Sequence, residues 1–155
     1  MKKIKPFIWF KKDAKEALDF YTAVFPDSRV VMSTAVEGAP GPAHQMVATF
    51  ELMGEPFMCL EGGENPMLAS SGPISLVAEC ETQAEIDKLW DAFAEGGKPI
   101  ACGWITDKYG VTWQVVPTIL GKLMTDPDKE KVQRVTQAFM KMVKFDIAAL
   151  EAAAA

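Results

Sequence analysis

The sequence predicts an α+β fold of two paired βαβββ modules followed by a C-terminal helical extension. Three observations carry this. A capped, amphipathic stretch beginning at Asp13 returns at Thr82 with a constant offset of 69 residues, the mark of an internal repeat. Each copy follows a short apolar run and precedes three further strand-like runs. Beyond Pro117 the apolar residues change to helical spacing. The expected organisation is one domain over residues 1–155, with modules at 3–64 and 73–117 and the extension at 118–155.

The first run, IKPFIWF, is rich in aromatic and β-branched residues and short enough for a buried strand. It leads into DAKEALDFYTAVF, where Asp13 and Glu16 have capping-box spacing. Ala14, Ala17, Leu18, Tyr21, Val24 and Phe25 then form one apolar helix face that Pro26 ends. SRVVMSTAVEG, HQMVATFELM and EPFMCLEGG read as three strands, joined by the Pro/Gly turn APGPA and a turn at Gly54.

ISLVAECE begins the second copy. Thr82 and Glu85 repeat the capping box, Ile86, Leu89, Trp90 and Phe93 repeat the apolar face, and Gly96-Gly97 supplies the stop. The module closes with CGWITDKYGVTWQVVP, in which Asp107 and Gly110 bracket a turn. Its counterpart in the first module is GEPFMCLE, matching Gly54 to Gly110, Phe57 to Trp113 and Met58 to Gln114.

In the extension, Asp126-Pro127 has the N-cap and first-turn proline signature, and Val132, Val135, Phe139, Met142 and Val143 make an apolar stripe. A second cap, Asp146, opens DIAALEAAAA. Isolated helices of this length are marginal in water, so the stripe must dock on the sheets or on another subunit.

Charge and composition narrow the functional classes. With 16 basic against 21 acidic residues and no basic stripe, neither nucleic acid nor an anionic membrane is an expected partner. No apolar run approaches the roughly 20 residues of a membrane span, and the N-terminus returns to charge too soon for a signal peptide, so a cytoplasmic protein is expected. Cys59, Cys80 and Cys102 are odd in number and widely spaced, which signals neither a disulfide framework nor a cysteine zinc site.

The motifs F-x-W-F, A-x-E-A-x-x-F-Y and V-F-P-D-S-R-V near the start, C-G-W-I-T-D-K-Y-G-V-T-W-Q-V-V-P, and the late D-P-D-K-E-K-V-Q-R-V resemble the PhnB-like branch of the glyoxalase and bleomycin-resistance, or vicinal oxygen chelate, superfamily. Members of that branch often carry a demethylubiquinone methyltransferase label. The resemblance implies cupped sheets around a cavity, a homodimer, and, in metal-using relatives, His, Glu or Gln ligands from the first and last strands of each module. There the ion acts as a Lewis acid.

Carried onto this sequence, the ligand positions are Pro6, Met58, Ser75 (or Pro73 if the register slips by two) and Gln114. Proline offers no side-chain donor, a thioether is too soft for Fe, Mg or Mn, and an amide alone binds weakly. A divalent metal is therefore possible but not expected, and no other cofactor is. His44 is the sole histidine, and one histidine is not a site. Glu51, Glu55, Glu61 and Glu64 bracket the first module's last hairpin and are alternative oxygen ligands. The methyltransferase label lacks its nucleotide loop, because Gly62-Gly63 and Gly96-Gly97 follow the wrong elements.

The candidate ligand pocket comprises Met58, Ser75, Cys102, Trp104 and Gln114. Cys102 stands near Trp104 and Gln114 in sequence but has no histidine beside it to activate a thiolate. Trp104 either walls the pocket or forms a cross-strand aromatic pair with Trp113. Three readings remain: a metal-free small-molecule binding or sequestering homodimer, a superfamily enzyme using a divalent metal on non-standard ligands such as Glu61, or an assembly role for the C-terminal stripe.

Overall fold

The computed structural model describes residues 5–36, 45–64 and 75–155. His44, Pro73 and the turn at 39–43 lie outside them. The chain divides into two compact units, Met1–Ser70 and Ser71–Ala155. Together the described residues form two four-stranded sheets and five helices.

The first unit runs β1 (Phe7–Phe10), α1 (Ala14–Val24), β2 (Arg29–Val36), β3 (Gln45–Leu52) and β4 (Glu55–Glu61). Its sheet has the order β1-β4-β3-β2; β1 is parallel to β4 and the other pairs are antiparallel. One face is covered by α1, whose Ala14, Ala17, Leu18 and Tyr21 are buried. Phe10, Ala48, Phe50 and Cys59 meet it from the sheet, each at most 1% exposed. Phe50 and Phe57, directly registered, stack at 5.3 Å on this face.

The second unit repeats the plan with β5 (Leu76–Cys80), α2 (Gln83–Ala94), β6 (Lys98–Pro99), β7 (Trp104–Thr106) and β8 (Thr112–Pro117), ordered β5-β8-β7-β6 with β5 parallel to β8. Ile105, Trp113 and Val115 pack under Ile86, Leu89, Trp90 and Phe93 of α2. Trp113 stacks on Phe93 at 4.9 Å. β6 is short and lies at the edge, where Pro99, which cannot donate to a ladder, is tolerated.

The two helix starts differ, against the expectation of twin capping boxes. At α2 the box forms: Thr82 Oγ1 accepts from Glu85 N at 3.3 Å, and the Glu85 carboxylate accepts from Thr82 N at 3.0 Å. The Thr82 and Glu81 backbone amides, both donating to that carboxylate, hold the Glu85 carboxyl below its ordinary range. At α1, Asp13 lies in the left-handed region at φ 61° and its side chain makes no cap bond. The donor at Ala14 N is met instead by Glu61 Oε2, from the end of β4, at 2.7 Å.

A one-residue insertion accounts for the difference. The helices keep the offset of 69, but the strands match at 70: Phe7 and Val77 pair with the equivalent residues Met58 and Gln114, and Phe10 and Cys80 are the matching buried positions. The link from β1 to α1 therefore holds Lys11, Lys12 and Asp13, whereas Glu81 and Thr82 suffice between β5 and α2. The extra residue turns Asp13 out of capping geometry.

The extension adds α3 (Thr118–Met124), α4 (Lys129–Phe139) and α5 (Ile147–Ala154) to the second unit. Asp146 caps α5 through Ala149 N, as its sequence implies. The cap of α4 is Asp128, not Asp126: Asp128 accepts from Glu130 N and Lys131 N, while Asp126 accepts from Asp128 N and pairs with Lys131 at 2.8 Å.

Between two possible docking surfaces, the extension takes its own unit. Val135, Phe145 and Leu150 are at most 2% exposed. Gln83 of α2 clamps the chain before α5, donating to Phe145 O at 3.1 Å and accepting from Ile147 N at 2.9 Å. Cys102 N and Gly103 N donate to Met142 O and Val143 O. Gly103 has φ +78°, and a Cβ there would sit 2.5 Å from the Phe145 ring and 2.7 Å from Val115 O. No larger residue fits that turn. Of the apolar stripe, Val143 remains 48% exposed.

These starts predict a ranking. Thr82→Ala lowers stability by about 1 kcal/mol, whereas Asp13→Gly leaves it unchanged or slightly raised, because glycine accepts the left-handed conformation without strain. Chemical denaturation of both variants checks this; a larger loss at Asp13 would contradict the inserted-residue account.

Candidate functional site

In each unit the helix covers one sheet face, and strand alternation sends every second side chain to the other. On the second sheet this open face carries Trp104, Gln114 and Val77 as one directly registered row across β7, β8 and β5. Val77 is 55% and Trp104 37% exposed, whereas Ile105, Trp113 and Val115, one residue along, are buried. Gln114 Nε2 donates to Ser75 Oγ at 2.8 Å. Beside that row, the Thr106 and Thr112 hydroxyls lie 3.3 Å apart.

The first sheet presents Phe7, Met58 and Thr49 in the matching row, with Trp9 and Leu60 in the next. Trp9 Nε1 donates to Gly63 O at 2.9 Å. Phe7, rather than the expected Pro6, is thus the first-strand residue that shares a face with Met58, because the link between β1 and α1 is one residue longer than its counterpart in the second unit.

Of the five sequence-predicted pocket residues, Ser75, Trp104 and Gln114 are brought together on the second unit's open face. Met58 occupies the equivalent place in the first unit. Cys102 stands apart, at φ 53° in the turn before β7, with Sγ 3.7 Å from Phe139 O of the extension. Trp104 and Trp113 do not form the cross-strand pair allowed as one alternative: Trp104 is registered with Gln114 and Ile105 with Trp113, so the indoles point to opposite faces.

Asp107 has a larger role than the turn marker it seemed in sequence. It is 4% exposed; Oδ1 accepts from Tyr109 N and Val111 N, and Oδ2 accepts from Trp113 Nε1 at 2.9 Å. The carboxylate ties the D-K-Y-G turn to the core indole and so fixes which residues of β8 face outward. Asp107 and Trp113 are six positions apart, a signal visible in sequence only once the turn is known.

The donor set does not fit the superfamily's metal. Phe7 and Met58 supply no hard donor, and the Gln114 amide is bonded to Ser75. Three of the four alternative carboxylates are engaged elsewhere: Glu61 accepts from Ala14 N, Glu51 pairs with Arg29 at 2.9 Å, and Glu64 pairs with Lys11 at 2.9 Å. Among the described residues, no group of three or more His, Cys, Asp or Glu side chains could hold an ion. An open depression of about 660 Å³ beside Phe25, Ser28, Arg29 and Glu51 is lined by that Arg29–Glu51 pair.

The family model for 3-demethylubiquinone-9 3-methyltransferase matches residues 2–116. Among solved structures, a putative 3-demethylubiquinone-9 3-methyltransferase, PhnB protein, from Bacillus cereus is 35% identical with TM-score 0.67, covering 76% of this chain and 100% of its own. The chain belongs to this PhnB-like family. A protein from Pseudomonas aeruginosa shares the fold at 21% identity and TM-score 0.60, covering 76% of this chain and 98% of its own. So does the fosfomycin resistance protein FosX from Listeria monocytogenes, solved with Mn(II) and sulfate, at 11% identity and TM-score 0.53 over 73% of this chain and 89% of its own. No curated protein matches. The fold is of the glyoxalase and bleomycin-resistance type, and no helix among the described residues is long and apolar enough to cross a membrane.

Within this PhnB-like chain, burial pushes the Cys59 and Cys80 thiols up to about 11. A raised folded value favours the protonated form, so their contribution is complete below the unfolded value of 9.0 and is lost as pH rises toward about 11. Denaturation curves across that window should show stability falling by about 1.4 kcal/mol per pH unit for each thiol. In the native chain, iodoacetamide should reach Cys102 before either of them. A second expectation concerns Asp107: Asp107→Ala orphans three donors and lowers stability by about 3 kcal/mol, read by the same denaturation measurement.

Proposed function

We propose that this PhnB-like protein binds or sequesters a small molecule without a resident metal, and that it does so as a homodimer in which the two units are modules of one domain. The observation that carries the reading is the Trp104–Gln114–Val77 row: an indole, an amide and an apolar side chain facing away from the helix, with Ser75 bonded to the amide. Ligand sites characteristically combine apolar walls with a few placed polar groups, and this face has both. Its polar groups are neutral, with no carboxylate or imidazole in the row, which favours hydrogen bonding over Lewis-acid chemistry.

The family's methyltransferase description does not carry an activity to this chain, since one fold hosts many chemistries. Support for the dimer comes from the exposed apolar row Val30, Val31 and Met32 on edge strand β2, surface that a monomer seldom leaves open. The extension is not needed for it, being docked on its own unit. A cytoplasmic location follows the composition.

Elemental analysis and sedimentation of the purified chain test the proposal together. The expected result is less than stoichiometric divalent metal, unchanged thermal stability after chelation, and twice the monomer mass. One tightly held ion per chain would establish the enzyme alternative instead. Calorimetric binding of S-adenosylmethionine would favour the methyltransferase reading instead.

A further inference from the structure

We infer that the open face of the second sheet takes an uncharged, flat ring whose edge carries a hydrogen-bond donor beside an acceptor, as in a lactam or an aromatic carboxamide. The inference rests on the binding reading above and specifies its ligand.

The bonding capacity of the Gln114–Ser75 couple is the first reason. A glutamine amide has two donors and an acceptor oxygen, and a serine hydroxyl both donates and accepts. Their mutual bond, Nε2 to Oγ at 2.8 Å, consumes one donor and one acceptor. What remains is Gln114 Oε1, an acceptor, together with the second Nε2 hydrogen and the Ser75 hydroxyl hydrogen, both donors. With the amide turned over, Oε1 accepts from the Ser75 hydroxyl while Nε2 keeps its donors and Ser75 Oγ can still accept, so the couple offers both a donor and an acceptor in either orientation. A ligand edge with adjacent N–H and C=O matches this.

Charge is the second reason. Among the described strand residues of this face, the ionisable side chains are Glu79 on β5 and Lys98 on β6, which form opposite margins of the sheet. The central rows hold only hydroxyls, the amide, the indole and aliphatic groups. A formal charge placed there would lose hydration without gaining a partner. The third reason is shape. Trp104 is registered directly beside Gln114 and is part-exposed, which lets a flat ring stack on the indole while its polar edge meets the amide.

Three probes of equal ring size separate these features: 2-quinolinone, a neutral lactam; 2-naphthoate, an anion; and naphthalene, which has no polar edge. Binding is read by quenching of Trp104, identified by difference from Trp104→Phe, and by the shift of the Gln114 side-chain amide in nuclear magnetic resonance spectra of the unmodified chain. The lactam should bind about tenfold more tightly than either other probe, the size of one well-made hydrogen bond. Gln114→Met, which installs the residue of the matching first-unit position, should abolish that advantage while leaving naphthalene binding in place. The amide shift needs no variant and stands if Gln114→Met does not fold. Naphthoate binding as tightly as the lactam would overturn the ligand chemistry but leave the binding face. No response at Trp104 or Gln114 to any probe would overturn both.

Discussion

The parallel pairing of the first and last strand of each module is the constraint on which the rest depends. Antiparallel neighbours can be joined by a short turn, but β1 can reach β4, and β5 can reach β8, only after the chain has passed through a helix and the intervening strands. This pairing closes the sheet with the helix on one face and leaves the other open. It also places the last strand inside the sheet, so that Met58 and Gln114 each have a neighbour on both sides. Any side chain on the open face of that strand stands in the middle of a polar or apolar row.

The two modules solve one problem differently. Both must satisfy the first amides of a helix that follows directly on a strand. The second does so locally, with Thr82 and Glu85. The first has one residue more in the link, and satisfies Ala14 N from a distance of 47 residues through Glu61. That bond ties the end of β4 to the start of α1 and removes Glu61 from the set of carboxylates free to act elsewhere. A feature that looks like a spare acidic residue at a strand end is a helix cap.

The second unit is also the more heavily braced. Asp107 locks the closing hairpin onto Trp113, Gly103 lets the turn before β7 approach Phe145, and Gln83 holds the chain entering α5. These contacts lie on the helix side of the sheet or at its ends. The outward row Trp104, Gln114 and Val77 is held in register by structure behind it, the arrangement that a preorganised binding surface requires.

The amino-acid sequence by itself determined the order of the elements through Pro117, the repeat, and the caps at Thr82 and Asp146, because each depends on local spacing or on residue type alone. The tertiary structure decided the rest. That Asp13 does not cap α1 depends on the strand register, which no single helix pattern contains. That Asp128 rather than Asp126 caps α4 depends on where the chain leaves α3. Cys102 is two positions from Trp104 in sequence, yet a left-handed turn directs it to the extension, and Trp113 and Trp104 separate because cross-strand register, not proximity along the hairpin, assigns each side chain its face. Spacing along the chain fixes what a residue can do; the pairing of strands far apart in sequence fixes which residues it does it with.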